Sequence, residues 1–302
     1  MEKRKIILCP NPYRDKDMHV AAQSKTILDE AGFETVVCLP FQKEGYGADL
    51  GLPIGQLPQE IKRADLLIAF GGDGTILHLA KLAALDGQVF LDETEDTYCV
   101  WRTEYHRGLC TYYMDLFRRL RDLKDWSLTM EDRMMLDVSV LRDGRTVYST
   151  VALNDAVISK GSIARVVRLE IFTEEGFLTR VSGDGVVVSS PTGSTGYSMA
   201  AGGPIVEPTA RNILITPICP HSTRSSSYVL DPSHVIRVTA PDANRKFVYL
   251  SSDGGKAFSL KNNDLVQVSR SRHTMKLVRL SKKSFCEILD KKMAMEAAKY
   301  EK

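Results

Sequence analysis

The chain has 302 residues, of which 43% are apolar and 26% are charged, and its 40 basic and 38 acidic side chains leave a net charge of +2. This length is sufficient for two domains with separate cores, and so small a net charge gives no general attraction to nucleic acid or to an anionic membrane. The six cysteines have neither metal-ligand nor disulfide spacing, and no apolar run is long enough to span a membrane. We therefore expect a cytoplasmic protein without nucleic-acid or membrane partners.

The first third of the chain alternates between two kinds of hydrophobic pattern. Apolar runs at residues 5–9, 34–39 and 64–70 predict strands, and helical spacing of apolar residues lies between them. Such alternation predicts a parallel sheet covered by helices, which binds ligands at the carboxyl ends of its strands. Asn11 follows the first strand, so it should face the same crevice as the turn after residue 70.

That turn reads Gly71-Gly72-Asp73-Gly74-Thr75 and is followed by a helical pattern. A glycine turn between a strand and a helix binds anions through free backbone N–H groups and the positive end of the helix dipole. A carboxylate would repel phosphate there, which favours a role for Asp73 in holding a metal or taking a proton from a hydroxyl nucleophile. The alternative is that Asp73 simply caps the helix.

From about residue 134 the apolar residues alternate with a period of two, which is typical of β-strands. We predict strands at residues 134–141, 145–151, 166–172, 186–190, 235–238 and 247–251. Turn signals follow at Asp143-Gly144, Glu175-Gly176 and Asp253-Gly254. Consecutive strands without helices between them predict a sandwich-like β domain. The predicted divisions are an α/β domain at 1–127, a β-rich domain at 128–280 and a charged helical tail at 281–302.

Residues 189–204 form the most informative stretch, because nearly every residue in it is small or carries a hydroxyl. Small residues let a ligand approach the backbone, and hydroxyls supply donors and acceptors with little bulk. A flexible linker would not contain Tyr197 and Met199 or lie between apolar runs. The stretch therefore predicts a ligand cradle, in which Tyr197 either lines the pocket or is a core aromatic residue.

Two further pairs of residues have both a binding and a structural interpretation. Asn154 and Asp155 end a strand-like run, and an amide beside a carboxylate suits an adenine edge and a pair of ribose hydroxyls. An Asx turn between strands would explain the same pair. Asp253 fits a place in the ligand pocket, and an Asp-Gly hairpin turn explains it almost as well.

Together these motifs resemble those of the NAD kinase family. Residues 71–75 match its GGDGT, Asn154-Asp155 its Asn-Glu/Asp pair, Asp184-Gly185 its Asp-Gly step, and residues 192–204 its TGSTxYSxxAGGP signature. The order and spacing fit over roughly residues 5–90 and 128–280. GGDGT also occurs in lipid kinases and phosphofructokinases, whereas the TGSTxYSxxAGGP signature is specific.

The resemblance implies an α/β N-terminal domain with a parallel sheet and a β-sandwich-like C-terminal domain, the NAD kinase and diacylglycerol kinase-like fold. It implies transfer of the γ-phosphoryl group of ATP to the 2′-hydroxyl of the adenosine ribose of NAD. Magnesium, or another divalent metal, would arrive with ATP. The protein would be a homodimer or homotetramer.

The resemblance also assigns roles to particular residues. Asp73 would face the 2′-hydroxyl, as general base or through Mg²⁺, and Asp184 would lie near the nicotinamide end of NAD. The predicted binding residues are Gly72, Gly74, Thr75, Asn154, Asp155, Asp184, Thr192, Thr195, Gly196, Tyr197 and Asp253. Asp155 stands where many relatives have Glu and Gly196 where they have Ala, and we expect neither change to alter the chemistry.

Two other functions are compatible with part of the sequence, a lipid kinase and a non-catalytic nucleotide-binding protein. A lipid or sphingoid-base kinase would share the Asp73 turn, but it would need an apolar cleft in place of the hydroxyl-rich stretch. A non-catalytic nucleotide-binding relative is the other rival, because residues 91–125 depart from the family pattern. One permitted reading of their codons, two bases out of register, recovers family landmarks, so we hypothesise that compensating frameshifts, in the gene or in its sequencing, rewrote about residues 91–125. If the protein really carries the rewritten segment, we expect weak activity.

Overall fold

The computed structural model describes residues 3–41, 46, 51–86, 99–103, 120, 123, 129–161, 165–221, 226–279 and 284–300. The frameshift hypothesis concerns residues 91–125, and most of these lie outside the described residues. Of that segment, Cys99–Thr103 forms a strand.

Two β-sheets and six α-helices make up the described chain. The larger sheet contains β1 (Lys5–Pro10), β2 (Glu34–Cys38), β3 (Ile54–Gly55), β4 (Leu66–Phe70), β5 (Cys99–Thr103), β6 (Thr129–Arg142), β7 (Arg145–Ala152), β9 (Val167–Thr173), β10 (Gly176–Gly183), β14 (Ile236–Thr239) and β17 (Leu265–Arg279). The smaller sheet contains β8 (Asp155–Lys160), β11 (Gly185–Ser189), β12 (Ile213–Ile218), β13 (Tyr228–Leu230), β15 (Val248–Ser252) and β16 (Phe258–Ser259). The helices are α1 (His19–Glu30), α2 (Leu57–Glu60), α3 (Asp73–Asp86), α4 (Tyr197–Ala200), α5 (Ala243–Lys246) and α6 (Phe285–Tyr300), with 3₁₀ turns at Ile61–Arg63 and Thr192–Thr195.

The N-terminal part of the larger sheet is parallel, in the order β5-β4-β1-β2-β3. Side chains of β1 alternate between its two faces, with Ile6 and Leu8 in the buried cluster of α1 and Ile7 in that of α3. Because Pro10 pairs with Phe70, the chain leaves β1 and β4 at the same edge of the sheet. The predicted parallel sheet covered by helices is confirmed.

The C-terminal part is a sandwich of antiparallel strands. Strands β6, β9, β14 and β17 of the larger sheet face β8, β11, β12 and β15 of the smaller one across a common buried cluster. Val138 and Leu169 from the first layer meet Val186, Val188 and others from the second. This confirms the predicted β-sandwich-like domain.

Strand β17 belongs to both parts of the larger sheet. It pairs with β6 and β14 in antiparallel fashion and, near its end, with β5 in parallel, where Lys276 lies opposite Cys99. The sheet is therefore continuous across residue 127, and the predicted divisions near residues 127 and 280 stay predictions. No helix in the described part of the chain has the length and apolar character needed to cross a membrane.

Candidate nucleotide-binding site

The turn after β4 is fixed by packing against the residue that follows β1. The Asn11 amide Nδ2 donates to the Thr75 hydroxyl over 2.8 Å, and the Asn11 backbone N–H donates to Phe70 O over 3.0 Å. A Cβ on Gly71 would lie 2.3 Å from Thr75 Oγ1, so only glycine permits this approach. Asn11 thus packs against the turn that carries Asp73, and its place in the crevice stays a prediction.

Helix α3 begins at Asp73, which is exposed, as is Gly74. Cβ positions on Gly72 and Gly74 meet no other group within 4 Å. The first N–H groups of this fourteen-residue helix have no partners within the helix, and the helix dipole adds positive potential there. Thr75 is buried, with its N–H bonded to Gly72 O, and supports the turn from below. An exposed carboxylate thus stands at the mouth of an open, anion-favouring turn.

A second set of polar groups surrounds the corner between β7 and β8, formed by Leu153, Asn154 and Asp155. The Asp253 carboxylate accepts hydrogen bonds from all three backbone N–H groups, at 2.8 Å from Leu153, 2.8 Å from Asn154 and 3.1 Å from Asp155. The Asp253 N–H in turn donates to Asp155 O over 3.0 Å. Asp253 has a φ of 51°, a conformation that Asp and Asn tolerate better than most residues.

The hydroxyl-rich stretch is attached to the same corner. The Ser190 hydroxyl donates to Leu153 O over 2.5 Å, and the Ser190 N–H donates to Asn154 O over 2.8 Å. A Cβ on Gly193 would lie 2.2 Å from Asn154 O, so the 3₁₀ turn rests directly on the Asn154 backbone. A Cβ on Gly196 would lie 3.8 Å from the Asn154 amide nitrogen, which places that side chain beside the start of α4.

Asp155 is the most strongly perturbed carboxyl of this site. Only 6% of its surface is exposed, and burial, with a smaller contribution from the Asp253 charge, raises the pKa of Asp155 to about 7. Burial raises the pKa of Tyr197 as well, and the charges of Cys219, Asp184 and Asp155 raise it further. Cys219, Asp184 and Asp155 therefore each lie within electrostatic range of Tyr197. Tyr197 is 45% exposed, so it is not a core aromatic residue.

Asp184 follows β10 and lies at the opposite end of β8 from Asp155, where it is paired with a cation. Its carboxylate lies 2.6 Å from Lys160 Nζ at the end of β8, and both side chains are partly exposed. The Lys160 backbone N–H also donates to Asp184 O over 2.9 Å. Lys160 was not among the predicted residues, because a single lysine at the end of a strand has no sequence signature.

Several hydroxyls near the corner are sequestered from solvent. Thr192 Oγ1 and Ser189 Oγ are buried and find no hydrogen-bond partner in the described part of the chain. Ser189 lies opposite Asp155 in the register of β11 and β8. An unpaired buried hydroxyl is costly unless a ligand satisfies it. Ser194 and Ser198, by contrast, bond to Val206 and Thr216 and are structural.

The two sets of groups share one apolar cluster. Leu153, 2% exposed, belongs to the same buried cluster as Ile76, Leu79 and Ala80 of α3. The helix that begins at Asp73 therefore packs against the corner that presents Asn154. The structure thus brings Gly72, Asp73, Gly74 and Thr75 together at the turn, and Asn154, Asp155, Thr192, Thr195, Gly196 and Asp253 around the corner. Asp184 lies at the other end of β8, beside Lys160, and Tyr197 is within electrostatic range of both Asp155 and Asp184.

Comparison with known proteins gives a consistent result. Residues 153–280 match the ATP-NAD kinase C-terminal domain family. An NAD kinase of Caldanaerobacter subterraneus subsp. tengcongensis is 33% identical over 294 residues, which cover 96% of this chain and 99% of that protein. An NAD kinase of Symbiobacterium thermophilum is 40% identical over 250 residues, 82% of this chain and 83% of that protein. The chain belongs to the NAD kinase family.

Solved structures agree with this assignment. The crystal structure of yeast NADH kinase complexed with NADH has a TM-score of 0.74 and 25% identity, and the match covers 95% of this chain and 86% of that one. An NAD kinase from Archaeoglobus fulgidus in complex with ATP has a TM-score of 0.64 at 19% identity, which shows a common fold. The resemblance stated from the motifs is confirmed.

Proposed function

We propose that this protein is an NAD kinase, which transfers the γ-phosphoryl group of ATP to the 2′-hydroxyl of the adenosine ribose of NAD and so makes NADP. The observation that carries the proposal is the packing of two groups against each other. An anion-favouring turn with an exposed carboxylate lies on a helix that packs against a polar corner suited to a nucleoside. Membership of the NAD kinase family supports the same reaction.

The acceptor hydroxyl is a weak nucleophile, so the site must position it, remove its proton and neutralise phosphate charge. Asp73 takes the first two tasks, because its carboxylate is exposed beside the turn. The N–H groups of Gly72 and Gly74 face phosphate oxygens, since the space above the two glycines is open, and Thr75 supports the turn.

The corner and the hydroxyl-rich stretch hold NAD. Asn154 reads the adenine edge, and ionised Asp155 accepts hydrogen bonds from ribose hydroxyls. Thr192 supplies its unpaired hydroxyl to the ligand, and Asp184 lies toward the nicotinamide end. Thr195, Gly196, Tyr197 and Asp253 complete the wall of the pocket.

The donor set fits magnesium that arrives with ATP. Mg²⁺ usually takes one or two carboxylates and completes its shell with phosphates and water, so the exposed oxygen atoms of Asp73 are sufficient protein ligands. When bound, the ion neutralises charge on the transferred phosphoryl group. We further propose a cytoplasmic homo-oligomer, as expected from the family resemblance, without nucleic-acid or membrane partners.

A lipid or sphingoid-base kinase is not favoured. Such an enzyme needs an apolar cleft for acyl chains, whereas the segment beside Asn154 presents the hydroxyls of Thr192 and Thr195 and the backbone of two glycines. The matched relatives are NAD kinases as well.

The decisive experiment is to incubate the purified protein with NAD, ATP and Mg²⁺ and to measure NADP with an NADP-specific dehydrogenase. Reactions without ATP, and with the Asp73→Asn variant, serve as controls. NADP formed by the wild type alone supports the proposal. Binding of NAD without any NADP would instead identify the non-catalytic relative.

A further inference from the structure

The hydrogen bonds of Asp253 leave it little capacity for a substrate. A carboxylate has about four lone-pair positions, and three of them already accept backbone N–H groups of Leu153, Asn154 and Asp155. Bonds to an ionised acceptor are roughly twice as strong as neutral ones. Asp253 thus fixes the backbone from which the side chains of Asn154 and Asp155 project.

The negative charge of Asp253 needs a compensating positive charge, because its carboxylate is partly buried and ionisation away from water is costly. Burial raises the pKa of Asp253, and the three N–H donors and the positive charge of Lys81 oppose that rise. Burial likewise lowers the pKa of Lys81, and Asp253 opposes that fall. Each of the two groups therefore helps to keep the other charged in a partly desolvated place.

Lys81 lies on α3, about two helical turns beyond Asp73. The apolar face of the same helix packs in one cluster with Leu153. The corner is thus joined to α3 by apolar packing at Leu153, and a longer-range attraction between Lys81 and Asp253, which make no direct ion pair in the described structure, acts across the same contact.

We propose that Asp253, compensated by Lys81 of α3, is a positioning residue that holds Asn154 and Asp155 in register with the helix that carries Asp73. The proposal rests on the NAD kinase function and refines it, because it assigns Asp253 to the protein backbone instead of to NAD. Lys81 acts through Asp253 and does not touch the substrate. Both residues affect how NAD is held more than how its hydroxyl is activated.

The first test measures the corner itself by amide hydrogen exchange in the substrate-free protein. Asp253→Asn keeps the side-chain volume and tolerates positive φ, but it replaces one acceptor oxygen by a donor opposite the Leu153 N–H. Asp143→Asn is the matched control, since Asp143 also precedes a glycine in a turn and has the same φ of 51°. We expect exchange at Leu153, Asn154 and Asp155 to become at least about tenfold faster in Asp253→Asn and to be unchanged in Asp143→Asn.

The second test measures kinetics of NADP formation. Lys81→Met should raise KM for NAD at least about fivefold with kcat within about twofold, whereas Lys81→Arg, which keeps the charge, should stay near the wild type. In the Asp253→Asn background, Lys81→Met should change KM by less than about twofold, because residues that act as a unit are not additive.

The pH profile separates positioning from general loss of structure. The charged or titratable groups that face Asp155 are Asp253 from the end of β15 and Tyr197 from α4, and Lys81 acts on Asp253 from α3. Removing the Asp253 charge should lower the pKa of Asp155. The rise of kcat/KM for NAD that accompanies ionisation of Asp155 should therefore occur at a pH lower by about 0.5 unit or more. A purely structural defect would lower kcat/KM at every pH and leave unchanged the pH at which kcat/KM rises.

Unchanged exchange at the corner in Asp253→Asn would overturn the proposal, and so would equal effects of Lys81→Met in both backgrounds. If Asp253→Asn does not fold, Lys81→Met is compared with Lys81→Arg instead. Equal amide exchange at Leu153, Asn154 and Asp155 and equal KM for NAD in these two variants would show that the charge of Lys81 has no role, and would overturn the proposal. A wild type that forms no NADP would contradict the proposed function, while the exchange measurement would still decide what Asp253 does.

Discussion

Asn11 and Thr75 are joined side chain to side chain over 2.8 Å, and Gly71 lies against both of them. The bond connects the residue after β1 to the first turn of α3, so two strand ends and the proposed catalytic turn form one packed unit. The tight side of this turn faces Asn11, and its open side faces the crevice.

This contrast predicts different results for neighbouring glycines. Gly71→Ala should lower stability by about 1–3 kcal/mol, because its Cβ overlaps Thr75. Gly74→Ala has space for a Cβ and improves helix propensity, so its melting temperature should not fall. NADP formation by Gly74→Ala should nevertheless drop, because the methyl group occupies the approach of phosphate. Wild-type kinetics of Gly74→Ala toward ATP would show that phosphate binds elsewhere.

Asp73→Asn should lower kcat by at least about 100-fold, the usual scale for a lost general base, and leave NAD affinity within a few fold. The reason is that the carboxylate acts on the hydroxyl during transfer and not on binding in the ground state. Steady-state kinetics and NAD titration measure the two effects. Asp290→Asn, at an exposed aspartate of α6, is the control and should match the wild type. Equal losses of binding and turnover would indicate a helix cap.

Asn154→Ala and Thr195→Val should mainly raise KM for NAD, each by a factor equivalent to about 1–3 kcal/mol of polar pairing in a desolvated site. Thr179→Val, at a half-buried threonine of β10, controls for loss of a hydroxyl. KM values unchanged from the wild type, together with lower melting temperatures, would make Asn154 and Thr195 scaffold residues.

Asp155 should give stability and activity opposite dependences on pH. Its pKa is about 7 in the folded protein and near 3.8 when unfolded, so between these values the folded state binds more protons and the free energy of unfolding falls as pH rises. Asp155→Asn should therefore melt higher than the wild type at pH 8 and lose most of this advantage at pH 5. Wild-type kcat/KM for NAD should instead rise through pH 7, as the carboxylate ionises.

Asp137→Asn, at an exposed aspartate of β6, is the control for these melting curves and should not change their dependence on pH. A parallel pH dependence of melting in Asp155→Asn and the wild type would contradict the assigned pKa.

The frameshift hypothesis for residues 91–125 predicts weak NAD kinase activity and a reading frame that shifts and returns in the source DNA. Resequencing that DNA, together with an assay of the purified protein, tests both. An unbroken frame with robust activity would refute the hypothesis.

Local patterns in the sequence predicted much of the fold. The apolar run at residues 5–9 is a short-range signal, and the structure contains β1 there. The pair Asp143-Gly144 is another, and both of its residues have positive φ in a turn. Strand β8 was not predicted, because it is a buried strand without alternation and its first residues suggested an Asx turn. Strand β17 was not predicted either, since the polar residues at its middle interrupt the pattern.

Motifs identified the candidate site residues, but they did not show how those residues are held. Asp253 looked like a hairpin aspartate, and only its three long-range hydrogen bonds distinguish it from Asp143. Lys81 and Lys160 had no signal at all, because their roles depend on the approach of elements distant in sequence.

The shared strand β17 has a consequence for synthesis of the protein. While the ribosome is still making the first half of the chain, β5 lacks the neighbour that it will have in the finished sheet, since Lys276 is more than half a chain length away from Cys99. Contacts between such distant residues form slowly, and an open strand edge is a template for pairing with other chains. Chains released before residue 265 should therefore associate through this edge, and the N-terminal sheet is completed only when translation is almost over.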